Sequence, residues 1–261
     1  MIELQHVSAG YGKHTVLNDV SVSFENGKLT SIIGINGCGK STLLKAIQGI
    51  VPLSSGSVII DGNPLKNMRR KDIARKVAYL SQGKSTPDMT VAQLVLHGRF
   101  PHLNYPRRYL QKDYEIAFSA MEQTGIAKYA GKPLHTLSGG MRQIAYIAMA
   151  LAQETENILF DEPTTYLDIA HQLEMMKILR TLADNGKNVV AVMHDLPIAF
   201  TFSDRIVLLD NGQVASNDEP QRVCGHKTIR QVFGVSVACS EKAYRYDDLG
   251  NQMNQNRSDN V

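Results

Sequence analysis

The stretch that most constrains this chain is Gly34 to Thr42, GINGCGKST, which matches G-x-x-x-x-G-K-[ST], the pattern of a phosphate-cradling P-loop. At ordinary residue frequencies a match by chance has odds of roughly 1 in 100 in a chain of this length. The flanks support the match. Leu29 to Ile33 (LTSII) is a short, β-branched, apolar run that reads as a buried strand, and Ser41 onward reads as a helix, so strand, glycine turn and helix follow in the order phosphate binding requires. Gly34, Gly37 and Gly39 let the backbone wrap with its N–H groups inward, and the start of the following helix adds a positive dipole end. The loop as a whole, Asn36 and Cys38 included, is expected to hold ATP or GTP. Lys40 reaches the β- and γ-phosphates, Ser41 offers a hydroxyl to Mg²⁺, and Thr42 touches the α-phosphate.

The rest of the chain bounds the setting. Its 261 residues, 43% apolar and 20% charged, suit one α/β domain. A net charge of +3 is too small to imply a nucleic-acid footprint, and the short basic runs Met68 to Lys71 and Pro106 to Arg108 read as solvated surface. Cys38, Cys224 and Cys239 lie at no metal-like spacing, which fits a reducing compartment. There is no leader-like N-terminus and no apolar run approaching roughly 18 residues, so work at a membrane would require spans from another polypeptide.

Ile2 to Val7 and Val16 to Phe24 alternate in polarity, as half-buried antiparallel strands do. Between them Gly10-Tyr11-Gly12 is expected to form a loop that presents the Tyr11 ring to a nucleobase. Gly56 to Ile60 with Asp61-Gly62 reads as a strand into a hairpin turn, and Val77 to Leu80 as a further strand. From about 83 to 153, helical spacing over Val91 to Gly98, Lys112 to Thr124 and Gly140 to Gln153 predicts an inserted helical subdomain, with Pro101 to Pro106 as an irregular loop. A parallel core resumes with strands at Asn157 to Phe160, Asn188 to Met193 and Arg205 to Leu209. Helices at Ile169 to Ala183 and Leu196 to Phe202 separate them, and an Asn211-Gly212 hairpin leads to Gln213 to Ser216. The expected domain is 1–240, followed by a polar tail, 241–261, that carries no chemistry.

Two further stretches carry chemistry. Asn157 to Glu162, NILFDE, ends an apolar strand in two carboxylates. Asp161 is suited to holding Mg²⁺ at the end of a strand neighbouring the P-loop strand, and Glu162 to polarising a water against the γ-phosphate. Leu137 to Met141, LSGGM, opens a helix on which Ser138 is a good N-cap, while Gly139 and Gly140 leave backbone N–H groups open to an anion. His171 and His102 read as helix-surface and loop residues with no metal-ligand set around them.

GINGCGKST, Gln82, LSGGM, ILFDE, PTTYLD (Pro163 to Asp168) and His194 together resemble an ABC-type ATPase cassette over nearly the whole chain. The resemblance implies an α/β P-loop NTPase fold: a mixed, largely parallel core sheet, an N-terminal antiparallel β subdomain and the inserted helical subdomain. It also implies roles for single residues. Tyr11 stacks on adenine, Gln82 senses Mg²⁺ and the γ-phosphate, Asp168 lies at a dimer interface and His194 contacts the γ-phosphate. Ser138, Gly139 and Gly140 close on ATP held by a second copy, so a head-to-tail homodimer sandwiches two ATPs and opens on hydrolysis.

GRFPHL (Gly98 to Leu103), TTYLDIAHQ (Thr164 to Gln172) and AMALAQ (Ala148 to Gln153) resemble cassettes that power uptake of iron-siderophore complexes, haem or cobalamin. The expected partners are a second copy, integral-membrane permease subunits at the cytoplasmic face and, indirectly, a substrate-binding protein, with the loop 83 to 106 receiving a permease helix. The alternatives are a soluble ABC-type ATPase acting on ribosomes or DNA, and an ATP-gated clamp that does not hydrolyse. The second is motivated by Met141, which stands where the family pattern has Gln; a further departure is Ile144, which stands where the pattern has a basic residue. Cys38, beside a helix N-terminus, is expected to favour its thiolate and to be alkylated unless ATP protects it.

Overall fold

The structure is a computed structural model that describes residues 1–81, 86–165, 167–224 and 227–234. Gln82, Tyr166, Cys239 and the 241–261 tail lie outside the described residues.

The chain opens with two long strands, β1 (Ile2–Tyr11) and β2 (His14–Phe24), followed by the P-loop strand β3 (Leu29–Ile33) and helix α1 (Lys40–Ile47). Next come β4 (Leu53–Ile60), β5 (Asn63–Pro64), α2 (Arg70–Ala74) and β6 (Val77–Leu80). The helical segment contains α3 (Val91–His97), α4 (Gln111–Gln123) and α5 (Gly139–Ala152). The core then returns through β7 (Asn157–Asp161), α6 (Ile169–Asp184), β8 (Asn188–Val192), α7 (Leu196–Phe202), β9 (Arg205–Asp210) and β10 (Gln213–Asp218), and two short helices follow, α8 (Pro220–Cys224) and α9 (Lys227–Phe233).

One sheet is antiparallel, ordered β2-β1-β4-β5. The other runs β10-β9-β3-β8-β7-β6 and is parallel except for its edge strand β10. Two expectations need correction. Gly10 and Tyr11 belong to β1, with Tyr11 paired to His14, because the loop is only the tight turn Gly12-Lys13. The carboxylate-bearing strand β7 is also not the immediate neighbour of β3, because β8 pairs with both and separates them.

The large sheet separates two cores, and strand alternation decides which side each residue serves. On β7, Ile158 and Phe160 face one core and Leu159 the other; on β8, Val189 and Ala191 oppose Val190 and Val192; on β9, Ile206 and Leu208 oppose Val207 and Leu209. The first core takes α3 to α7, including Ile144, Ala145 and Ile147 of α5. The second takes Leu43, Leu44, Ala46 and Ile47 of α1 together with the inner face of the antiparallel sheet. Helices α1 and α5, the two whose starts were expected to bind phosphate, therefore pack on opposite faces of one sheet.

The basic run around α2 is not all solvated surface. Lys71 donates from Nζ to the Leu103 carbonyl at 2.6 Å and Arg75 from Nε to that of Pro101 at 2.9 Å, which ties the segment after α3 to the core. Arg107 lies over the Phe100 ring, 4.7 Å from its centre.

Candidate nucleotide-binding site

Strands β3, β7 and β8 run in parallel, so Ile33, Asp161 and Val192 end at the same edge of the sheet, the place where open α/β sheets bind ligands. Helix α1 starts there without a side-chain cap. Its N-cap is Gly39, at φ 109°, and no acidic residue occupies its first turn. The first N–H groups of α1 are thus left to an anion, and no negative side chain competes for them. Gly34 has to be glycine, because a Cβ there would lie 2.3 Å from the Leu209 carbonyl oxygen and 2.6 Å from Cys38 Sγ. Lys40 is buried within the loop, its Nζ donating to the carbonyls of Gly34 (2.7 Å) and Ile35 (2.9 Å).

Asp161 is brought to α1 despite the intervening strand. Ser41 Oγ donates to its Oδ1 at 3.0 Å, and Tyr79 OH on β6 donates to its Oδ2, also at 3.0 Å. Burial pushes the Tyr79 phenol up, and the Asp161 carboxylate and then Tyr11 push it further, so it remains a donor. Tyr79 escaped the reading of VAYL as a plain apolar strand. The available signal was that a buried tyrosine needs a partner for its hydroxyl.

The strand breaks at Glu162, a non-glycine residue at φ 55°, a conformation that costs about 1 kcal/mol or more. This turn keeps Asp161 and Glu162 from alternating to opposite faces and aims both at the strand-end edge. Glu162 Oε1 contacts His194 Nε2, and Oε2 accepts from Thr165 Oγ1 at 3.2 Å. His194 follows β8 and is partly exposed, while Glu162 is mostly buried. Tyr11 is 50% exposed at the hairpin end of β1, so its ring is available to stack.

The second phosphate-type helix start is built differently and lies elsewhere. Ser138 N-caps α5, its Oγ accepting from the Met141 N–H at 3.3 Å, and Met141 packs its side chain against the first core. Asp168 N-caps α6, accepting from the His171 N–H at 2.9 Å and from His171 Nδ1 at 2.7 Å, and these bonds hold its carboxyl below the usual range. His102 bonds through Nε2 to the Gln153 carbonyl at 2.9 Å, a structural role.

Cys38 overturns its expectation. It is 5% exposed in the second core, and burial pushes its thiol up more strongly than Lys40 pulls it down. The helix N-terminus is close, but the Gly34 turn folds the side chain inward, away from the loop's open side.

The pattern described as ABC transporter matches residues 17–165, more than half of the chain. The chain belongs to the ABC transporter family. As an ABC cassette it is an ATPase, and curated relatives match it along almost all of its length. It is 42% identical over 238 residues to the iron(3+)-hydroxamate import ATP-binding protein FhuC of Bacillus subtilis, a match covering 90% of this chain and 88% of that protein. It is 38% identical over 241 residues to the petrobactin import ATP-binding protein FpuD of Bacillus anthracis, covering 92% and 88%. Among solved structures, the ABC transporter cassette MJ0796 in its dimeric form superposes with a TM-score of 0.72 at 27% identity, over 84% of this chain and 99% of that one.

Proposed function

We propose that this cassette is the ATP-hydrolysing subunit of an importer of iron chelates, working as a head-to-tail pair beneath membrane-spanning permease subunits at the cytoplasmic face. Import of a chelate is supported by the named roles of FhuC and FpuD. Pairing is supported by the dimeric form of the MJ0796 cassette and by the packing of α1 and α5 on opposite faces of the same sheet, which sets the Ser138–Gly140 turn on the other face from the helix that follows its own P-loop. A second copy, rotated by a two-fold axis, supplies the missing half of each site.

Ser41 Oγ and the Asp161 carboxylate are hard oxygen donors set against each other, the chemistry Mg²⁺ takes. When bound, the ion neutralises charge on the β- and γ-phosphates. The N–H groups of the P-loop and α1 hold the phosphates, and Lys40 turns from its loop carbonyls to the γ-phosphate. Glu162 accepts the proton of a water whose oxygen bonds to the γ-phosphorus as the bridging bond to ADP breaks, releasing ADP and phosphate. His194, bonded to Glu162, holds that carboxylate in line. Gln82 belongs to this set by family resemblance.

The permease surface we assign is α4. Leu110, Tyr114 and Phe118, spaced four apart, are each at least half exposed beside a hollow of about 460 Å³ lined by Leu96, Ala117 and Met121. No described helix is long and apolar enough to cross a membrane, so the spans would come from the partner. The relatives' import roles disfavour the ribosome or DNA reading. Uptake of radiolabelled ferric hydroxamate by cells lacking this chain tests the proposal: the parental chain should restore it and Glu162→Gln should not, whereas normal uptake in the deleted cells would refute it.

A further inference from the structure

Gly139 and Gly140 look equivalent in LSGGM and are not. A Cβ at Gly139 would stand in open space, whereas one at Gly140 would lie 2.5 Å from Cδ2, 3.0 Å from Cγ and 3.2 Å from Nε2 of His171. Gly140 is glycine because an imidazole from α6 occupies the place its side chain would take. His171 is fixed to Asp168, the N-cap of α6, by two bonds to the same oxygen: its backbone N–H and its ring Nδ1 both bond to Asp168 Oδ1, at 2.9 and 2.7 Å. Nδ1 is the donor in this bond, because the Asp168 carboxylate can only accept, so Nε2 is the nitrogen turned toward the glycine turn. His171 is the helix-surface residue expected, its side chain partly exposed, and it is also a wedge between the starts of two helices.

We propose that His171 is a positioning residue that fixes the Ser138–Gly140 turn to the N-cap of α6, so that this turn and Asp168 meet a second cassette as one rigid surface. The proposal rests on the head-to-tail reading, in which both ends of the wedge face the partner. It gives the two glycines separate duties: Gly139 keeps the approach to phosphate open, and Gly140 admits the imidazole. It also accounts for function with Met141 in the turn. The Met141 side chain packs against the core, so the orientation of the turn comes from a ring beneath it rather than from the side chain at its end.

The test uses the full chain carrying Glu162→Gln, with Mg-ATP-driven pairing followed by sedimentation velocity and monomer binding of a fluorescent ATP analogue measured in parallel. His171→Ala should raise the ATP concentration for half-maximal pairing about tenfold, the scale of one charge-assisted hydrogen bond, and leave analogue binding to the P-loop unchanged. Gly140→Ala should lose pairing similarly, and the double variant should pair better than the two losses predict, because the new methyl no longer meets a ring. Parental pairing by His171→Ala, or additive losses in the double variant, would overturn the wedge. Equal loss of pairing and analogue binding would reduce it to a fold contact and overturn it as well. A Glu162→Gln parent that never pairs would instead bring down the head-to-tail reading, and the wedge with it.

Discussion

Arg99 sets the most quantitative test of how the helical lobe is held together. It is 4% exposed, and its guanidinium donates to Asp113 Oδ1 at 3.0 Å, to the Ala152 carbonyl at the end of α5 at 2.8 Å and to Glu154 Oε2 at 2.7 Å. One side chain after α3 thereby joins α4 to α5. Removing one partner of a buried ion pair costs roughly 3–5 kcal/mol, because the other charge is left desolvated. Asp113 keeps the Leu110 N–H at 2.9 Å, which argues for the lower end, and the lost Ala152 bond adds about 1 kcal/mol. Glu154 is half exposed, so its pair adds only a few tenths of a kcal/mol.

Arg99→Met should therefore destabilise the chain by about 4 kcal/mol, and Asp113→Asn, which keeps an oxygen for the Leu110 cap, by about 2. The double variant should recover about 2 kcal/mol of their sum. With no tryptophan in the chain, urea unfolding is best followed by far-ultraviolet circular dichroism. The pH dependence has a definite sign. Burial alone would raise the Asp113 carboxyl, but the Leu110 N–H and Arg99 outweigh it and leave its pKa below the usual value. The stability it contributes is complete above the unfolded-state value of about 3.9 and is lost as pH falls through the lower folded value, so the gap between parent and Arg99→Met should hold from pH 7 to about 4 and narrow only below. A loss under about 0.5 kcal/mol for Arg99→Met, or an additive cycle, would refute the buried-pair reasoning.

Tyr79→Phe should leave one Asp161 oxygen without its donor and raise the Mg²⁺ concentration needed for nucleotide binding about three- to tenfold; an unchanged titration would show that the hydroxyl does not position Asp161. Cys38 should react slowly with iodoacetamide at neutral pH, equally with and without Mg-ATP, and fast labelling that ATP suppresses would restore the reactive-thiol reading. Met141→Gln should change steady-state ATPase by less than about threefold and cost about 1 kcal/mol of stability, because it turns an amide toward the core; a large rate gain would show that the thioether cripples the turn.

The elements legible in the sequence were those whose own residues dictate them. Val77–Leu80 and Leu196–Phe202 lie where their apolar patterns put them, and Asp61-Gly62 and Asn211-Gly212 turn at positive φ as hairpin residues should. What could not be read depended on pairing and packing that the local residue pattern does not announce. The tyrosine at the end of β1 pairs with His14, which no local glycine pattern reveals, and β8 enters the sheet between β3 and β7 through a topology that spacing does not encode. The short polar helices α2 and α8 lack enough turns to show a period. In the site, the residue types of Lys40, Ser41, Asp161, Glu162 and His194 announce their chemistry, whereas the partnerships of Tyr79 with Asp161 and of His171 with Gly140 exist only once strands and helices are packed.

The claim beneath all of this is that each ATP is completed by two chains, and mixing tests it most directly. In the Glu162→Gln background, a Lys40→Ala chain keeps only its Ser138 turn and a Ser138→Arg chain keeps only its P-loop, so each alone should remain monomeric in saturating Mg-ATP. Mixed, they should form a heterodimer in sedimentation velocity, because one intact composite site is restored; two chains that stay monomeric together, or a Ser138→Arg chain that pairs by itself, would contradict the account.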